Sequence, residues 1–144
     1  MASLSDVPAR LFVDSGVWLA FFSARDNVHS EADRLLRAAI LRKIPLLTTN
    51  LVLAEVHRLL LFRAGIKPAA AALERIDASP SVLVKYADPQ IHREAQEWLS
   101  TLGDQVISYA DATSFAVMKA HRCGVALSFD HDFFLAGFSL WRGE

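Results

Sequence analysis

Short apolar runs that stop at an acid constrain this chain more than any other feature. Leu11-Phe12-Val13 stops at Asp14, and Val125-Ala126-Leu127-Ser128-Phe129 stops at Asp130. Runs of this length are too short for helices and read as buried strands. Amphipathic stretches with helical periodicity lie between the runs. Ser30 opens one, with Asp33 three residues on in capping-box spacing. Ala32, Leu35, Leu36, Ala39 and Ile40 then recur on one helix face. Residues 44–48 read as a second strand and residues 50–63 as a long helix that Gly65 stops. A further helix covers residues 67–77, and residues 82–84 form a third strand. Asp88-Pro89 pairs an N-cap with a first-turn proline, and Ile91, Ala95, Trp98, Leu99 and Leu102 give the helix that follows an apolar face ending at Gly103. Val106-Ile107 reads as a fourth strand, and Asp111 opens a helix to about Arg122. Residues 125–129 are the fifth strand and residues 138–141 a short sixth. Strands alternating with helices predict an α/β domain with a mostly parallel central sheet. With 144 residues and no linker, repeat or low-complexity segment, residues 1–144 are expected to form a single domain.

Composition excludes several classes of function. Fifteen Lys and Arg stand against 16 Asp and Glu, so binding nucleic acid by bulk charge is not expected. Cys123 is the single cysteine, which rules out an internal disulfide and suits a reducing compartment. The longest uncharged run, residues 44–54, is 11 residues, too short to span a membrane as a helix. No basic stretch followed by an apolar core marks a signal peptide, and a cytoplasmic location is expected. The five histidines are scattered without metal-ligand spacing, and there is no phosphate loop and no G-x-S-x-G.

The chemistry lies in the acids. In open parallel sheets ligands bind beyond the carboxyl ends of the strands. Asp14, Asp111 and Asp130 all fall at that edge if the strands are as read. Glu55 falls inside a helix on a face shared with Leu51, Val52 and Leu59. Carboxylates gathered in one cleft repel one another and take up protons unless a cation neutralises them. Oxygen donors without Cys or His favour Mg²⁺ or Mn²⁺ over zinc. Such a site suits phosphodiester hydrolysis. Each acid also has a plainer role: Asp14 and Asp111 as helix caps, Asp130 and Asp132 as turn residues, Glu55 in an ion pair.

Four segments carry a resemblance. Phe12-Val13-Asp14-Ser15, residues 49–56 (TNLVLAEV), Tyr109-Ala110-Asp111-Ala112 and residues 128–133 (SFDHDF) resemble, in order and spacing, the PIN-domain family and its small VapC-like toxin ribonucleases. The resemblance spans nearly the whole chain. It implies a three-layer α/β/α domain with a sheet of about five strands, and an Mg²⁺- or Mn²⁺-dependent endoribonuclease. Carried over by position, Asp14 and Asp111 would be the main metal ligands. Glu55 and Asp130 would complete the catalytic set, with Asp132 a fifth acid at the metal and Ser15 and Ser128 giving supporting hydrogen bonds. An RNA substrate, a small antitoxin partner and a homodimer are also implied. Phe21-Phe22 and the helix at residues 50–63 could supply interface, and Arg58, Arg63 and Lys67 an RNA path. His131, between two of the acids, could touch phosphate.

Four other readings compete. A haloacid-dehalogenase-type phosphatase wants an acid two positions after its first Asp, where this chain has Gly16. A receiver-type phosphoacceptor wants a lysine partner, and Lys85 follows a strand with no terminal Asp. A non-catalytic PIN-like RNA-binding module would have shed acids that this chain retains. A housekeeping PIN-type RNA-processing nuclease fits the same residues as a toxin.

Overall fold

The computed structural model describes residues 7–143; residues 1–6 and 144, the ends of the expected domain, lie outside the described residues. Five strands form one parallel sheet in the order β3-β2-β1-β4-β5. They are β1 (Leu11–Val13), β2 (Leu46–Thr49), β3 (Val82–Lys85), β4 (Val125–Leu127) and β5 (Ser139–Leu140). Seven helices among the described residues connect and cover them: α1 (Ser15–Phe22), α2 (His29–Leu41), α3 (Asn50–Ala64), α4 (Ile66–Ala78), α5 (Pro89–Thr101), α6 (Tyr109–Ala120) and α7 (Asp132–Leu135). The result is the expected three-layer α/β architecture with a five-stranded sheet.

Buried runs make the central strands. Every residue of β1 and β2 is buried, as a strand covered on both faces requires. Phe12 pairs with Leu47 on one side and Ala126 on the other. An aromatic cluster fastens the helices to this centre. Phe133 of α7 lies 5.9 Å from Phe12, and Phe115 of α6 meets Phe133 edge-on at 5.1 Å. Trp98 of α5 closes on Phe115 at 5.4 Å. Rings in such tilted contact add to the burial of large apolar area.

Two readings of the sequence need correction. Val106-Ile107 is not a strand. Val106 is 99% exposed, and the Ile107 N–H bonds locally to the Gln105 carbonyl at 3.0 Å. Two apolar residues cannot complete a ladder when Ser108 starts a helix immediately after them. The Ser30–Asp33 pair is not a capping box either. α2 begins at His29, and Asp33 instead pairs with Arg37 one turn on, at 2.9 Å. The proline start at Asp88 is as read, the Asp88 carboxylate accepting the Ile91 N–H at 2.8 Å.

Candidate active site

The strand order runs outward from β1 in both directions, so the chain reverses between β1 and β4. Crevices open at the carboxyl ends of strands at such a switch point. Asp14 and Ser128, the residues that immediately follow β1 and β4, stand there side by side. The Asp14 N–H bonds to the Leu127 carbonyl at 3.0 Å and extends the pairing by one residue. This holds the Asp14 carboxyl in the crevice, 7% exposed.

Ser128 is a junction. Its hydroxyl donates to Asp14 Oδ2 at 3.0 Å and accepts the Asp130 N–H at 2.9 Å. Asp130 in turn accepts the Asp132 N–H at 2.9 Å, which closes a tight turn into α7. Such side-chain-to-backbone bonds two residues on are the usual Asx-turn geometry. The turn role and a place among the acids are thus compatible for Asp130. Ser15 contributes through its backbone, its N–H bonding to the Asp14 carboxyl.

Asp111 arrives from a separate element. Ser108 caps α6, its hydroxyl accepting the Asp111 N–H at 3.1 Å. Asp111 is therefore the third helical residue and not the cap. Its carboxyl, bonded by the Ser108 hydroxyl, lies at the positive end of the helix. Asp111, Asp130 and Asp132 each place one carboxylate oxygen within 4.8 Å of the others.

Crowding and burial show in the proton affinities. Burial pushes Asp14 up from the ordinary carboxylate value to about 7, and the charges of Asp111 and Asp130 push the same way. The bonds from Ser15 and Ser128 pull against that rise. Asp111 is raised to about 6, by burial first and then by Asp130, with Asp132 and Glu55 adding to it. Asp132 is also raised, by burial and by Asp130, and the His131 charge opposes this.

Glu55 differs from its reading in the sequence. It is exposed, and the buried stripe of α3 is Val52, Leu53, Val56 and Leu60. Its charge nevertheless reaches Asp111. Glu55 thus stays in solvent on α3, and the three aspartates Asp111, Asp130 and Asp132 form the tight group. His131 is exposed, its ring 5.2 Å from that of Phe134. Arg63 is engaged with Asp26 at 3.3 Å, and Arg58 lies over the Phe62 ring. Phe21 and Phe22 are half-buried against the core beneath Arg75.

The donor set fits a hard divalent cation: all oxygen, high negative charge, no sulfur or imidazole among the converging groups. The raised carboxyls are acids that lack a counter-charge, and a cation is the natural counter-charge.

A parallel sheet whose switch point gathers acids from β1, β4 and a neighbouring helix is the arrangement of a PIN domain. The PIN-domain family model matches residues 11–138, and the chain belongs to that family, as a VapC-like member. It is 39% identical over 135 residues to the 23S rRNA-specific endonuclease VapC20 of Mycobacterium tuberculosis, in strains CDC 1551 / Oshkosh and ATCC 25618 / H37Rv alike. The match covers 93% of this chain and 99% of that protein. The crystal structure of M. tuberculosis VapC20, a sarcin–ricin loop cleaving toxin, is similar with a TM-score of 0.84 at 37% identity, covering 92% of this chain and 98% of that one. FitAcB from Neisseria gonorrhoeae has the same fold, with a TM-score of 0.63 at 19% identity over 92% of this chain and 97% of that chain.

Proposed function

We propose that this chain, as one PIN-like domain over residues 1–144, is an Mg²⁺- or Mn²⁺-dependent endoribonuclease and the toxin of a VapBC-type toxin–antitoxin pair. The observation that carries the reading is the convergence of Asp14, Asp111, Asp130 and Asp132 at the switch point of the sheet. Identity to a 23S rRNA-specific endonuclease along nearly the whole chain supports the RNA substrate, and the sarcin–ricin loop is the first RNA to try.

Asp14 and Asp111 would hold the cation, with Asp130 and Asp132 completing its oxygen shell. When bound, the cation supplies an activated water and neutralises charge on the phosphate oxygens. The residues of the chain do the positioning. Ser128 fixes the Asp14 carboxyl and, through the Asp130 N–H, the turn that presents Asp130. Ser108 fixes the first turn of α6 and with it Asp111. Glu55, exposed on α3, would hydrogen-bond a water entering with the substrate. Asp14 and Asp111 must ionise to serve as ligands, so cation affinity rises with pH.

A cytoplasmic homodimer held inactive by a small antitoxin completes the proposal. No helix among the described residues is long and apolar enough to cross a membrane. The groove bounded by Phe21, Phe22, Ile40 and Ile76 is a surface an apolar partner segment would use.

Cleavage of a sarcin–ricin stem–loop by the purified chain tests the reading, with Mg²⁺, Mn²⁺ or EDTA and beside Asp14→Asn. Cutting should need the metal and fall roughly 100-fold or more in the variant. Cutting that survives EDTA or the substitution would remove the acids from the chemistry.

A further inference from the structure

A cavity of about 300 Å³ opens between α3, α4 and the end of β3. Asn50, Leu53, Ala54 and His57 line it, a single stripe of the helix at i, i+3, i+4 and i+7. Glu55 lies about 150° round the helix from the centre of that stripe. α3 therefore turns Glu55 and the cavity to opposite flanks, and the sheet edge is what relates the cavity to the acids. Asp77 of α4 and Tyr86 form the remaining polar wall.

The cavity belongs to the same edge of the sheet as the acids. Asn50 immediately follows β2, and Tyr86 immediately follows β3. β2 adjoins β1, whose end carries Asp14. Two strand spacings put Tyr86 about 10 Å along that edge from Asp14. This is the scale of a neighbouring nucleotide rather than of a remote surface.

Its chemistry suits a flat heterocycle. Tyr86 is 64% exposed, an aromatic face standing open beside a cavity. Asn50 Oδ1 is taken by the Ala87 N–H at 2.9 Å, which fixes the side chain and turns its amide N–H donors away from that bond. His57 and Asp77 add ring nitrogen and carboxylate groups for the polar edge of a ligand. An unpaired RNA base is recognised by this combination: one aromatic face to stack on and a few side chains to bond the base edge. A phosphate is not, because Asp77 would repel it.

We propose that this cavity is a subsite for one unpaired base flanking the scissile phosphate, with Tyr86 as its stacking platform and Asn50, His57 and Asp77 as its edge-reading groups. The inference rests on the ribonuclease reading for its substrate.

The test uses the full chain and a sarcin–ricin stem–loop RNA in which each loop base is removed in turn. Wild type, Tyr86→Ala and Tyr86→Phe are compared in two readouts, cleavage with Mg²⁺ and metal-free binding by fluorescence anisotropy. Tyr86→Ala should lower kcat/KM roughly 5- to 100-fold, the size of one lost base stack, and weaken binding in proportion. Tyr86→Phe, which keeps the ring, should retain most of both. One abasic RNA should lose the same factor with wild type and nothing further with Tyr86→Ala, because both changes delete one contact. If the two losses multiply at every loop position, or Tyr86→Ala loses nothing, the subsite is overturned while cleavage by wild type leaves the nuclease reading standing. Coupled binding without any cleavage would keep the subsite and overturn the nuclease. Neither binding nor cleavage would overturn both.

Discussion

Ser128 shows how one small side chain organises charge. Its hydroxyl donates a hydrogen bond to Asp14 and accepts one from the Asp130 N–H, so two of the acids are oriented through one oxygen. Asp14 is buried enough that loss of this donor leaves a carboxyl with one fewer partner in a poorly solvated crevice. Ser128→Ala should cost about 1–3 kcal/mol in urea unfolding, and activity should fall about 10- to 100-fold as the ligands lose their orientation. Cleavage and unfolding measured on the same preparation check both numbers. Ser15, which the sequence marks as an equal candidate, acts through its backbone N–H, and that atom is present whatever the side chain.

At the scale of elements, α6 decides whether Asp111 is in place. The Ser108 hydroxyl closes the first turn, and Asp111 is the residue whose N–H it accepts. Removing the cap lets that turn fray, and fraying moves the carboxyl away from Asp130 and Asp132. Ser108→Ala is expected to cost about 1 kcal/mol of stability. It should also raise the metal concentration needed for half-maximal cleavage, which a metal titration of both proteins would read. An unchanged titration would mean that the rest of α6, whose residues 112–118 are all buried, holds Asp111 without the cap. The helix that carries Glu55 behaves otherwise. Its buried stripe turns inward and leaves Glu55 in water.

Taken as a whole, the molecule carries a store of repulsion that pH and metal should reveal. In the unfolded chain Asp14 and Asp111 ionise near the ordinary value of 3.8, whereas in the fold they keep their protons to about 7 and about 6. The folded state binds more protons across that window. Metal-free stability attributable to these two groups should therefore decline as pH rises from about 4 through about 7 and level off above. A bound cation offsets the repulsion and favours the ionised forms. The rise in Tm on adding Mg²⁺ or Mn²⁺ should reach about 5–10 °C at a hundredfold excess over Kd. At one fixed metal concentration it should be larger at pH 8 than at pH 6, because ionised acids bind the cation more tightly. A thermal melt series at both pH values decides this. An Mg²⁺ shift that is equal at the two would separate cation binding from the protonation of these acids.

The sequence by itself determined the alternation of elements, because burial on both faces demands uninterrupted apolar runs such as Leu11–Val13 and helices demand their own period. It also determined that Asp14 follows a strand, since that run ends where the acid begins; the run before Asp130 is longer than its strand, because β4 ends at Leu127 and Ser128 and Phe129 already belong to the turn. It misplaced what depends on partners distant in the chain. Val106-Ile107 had the composition of a strand but no neighbour to bond, and Glu55 lay near apolar residues in sequence yet on the wet side of its helix. Tertiary structure alone decided that β4 crosses to lie beside β1. That crossing brings Ser128 to Asp14 from 114 residues away and sets Asp111 against Asp130 and Asp132. No local pattern records such a pairing. It follows from the free energy of packing Phe12, Phe115 and Phe133 into one core, which the chain can satisfy only after folding.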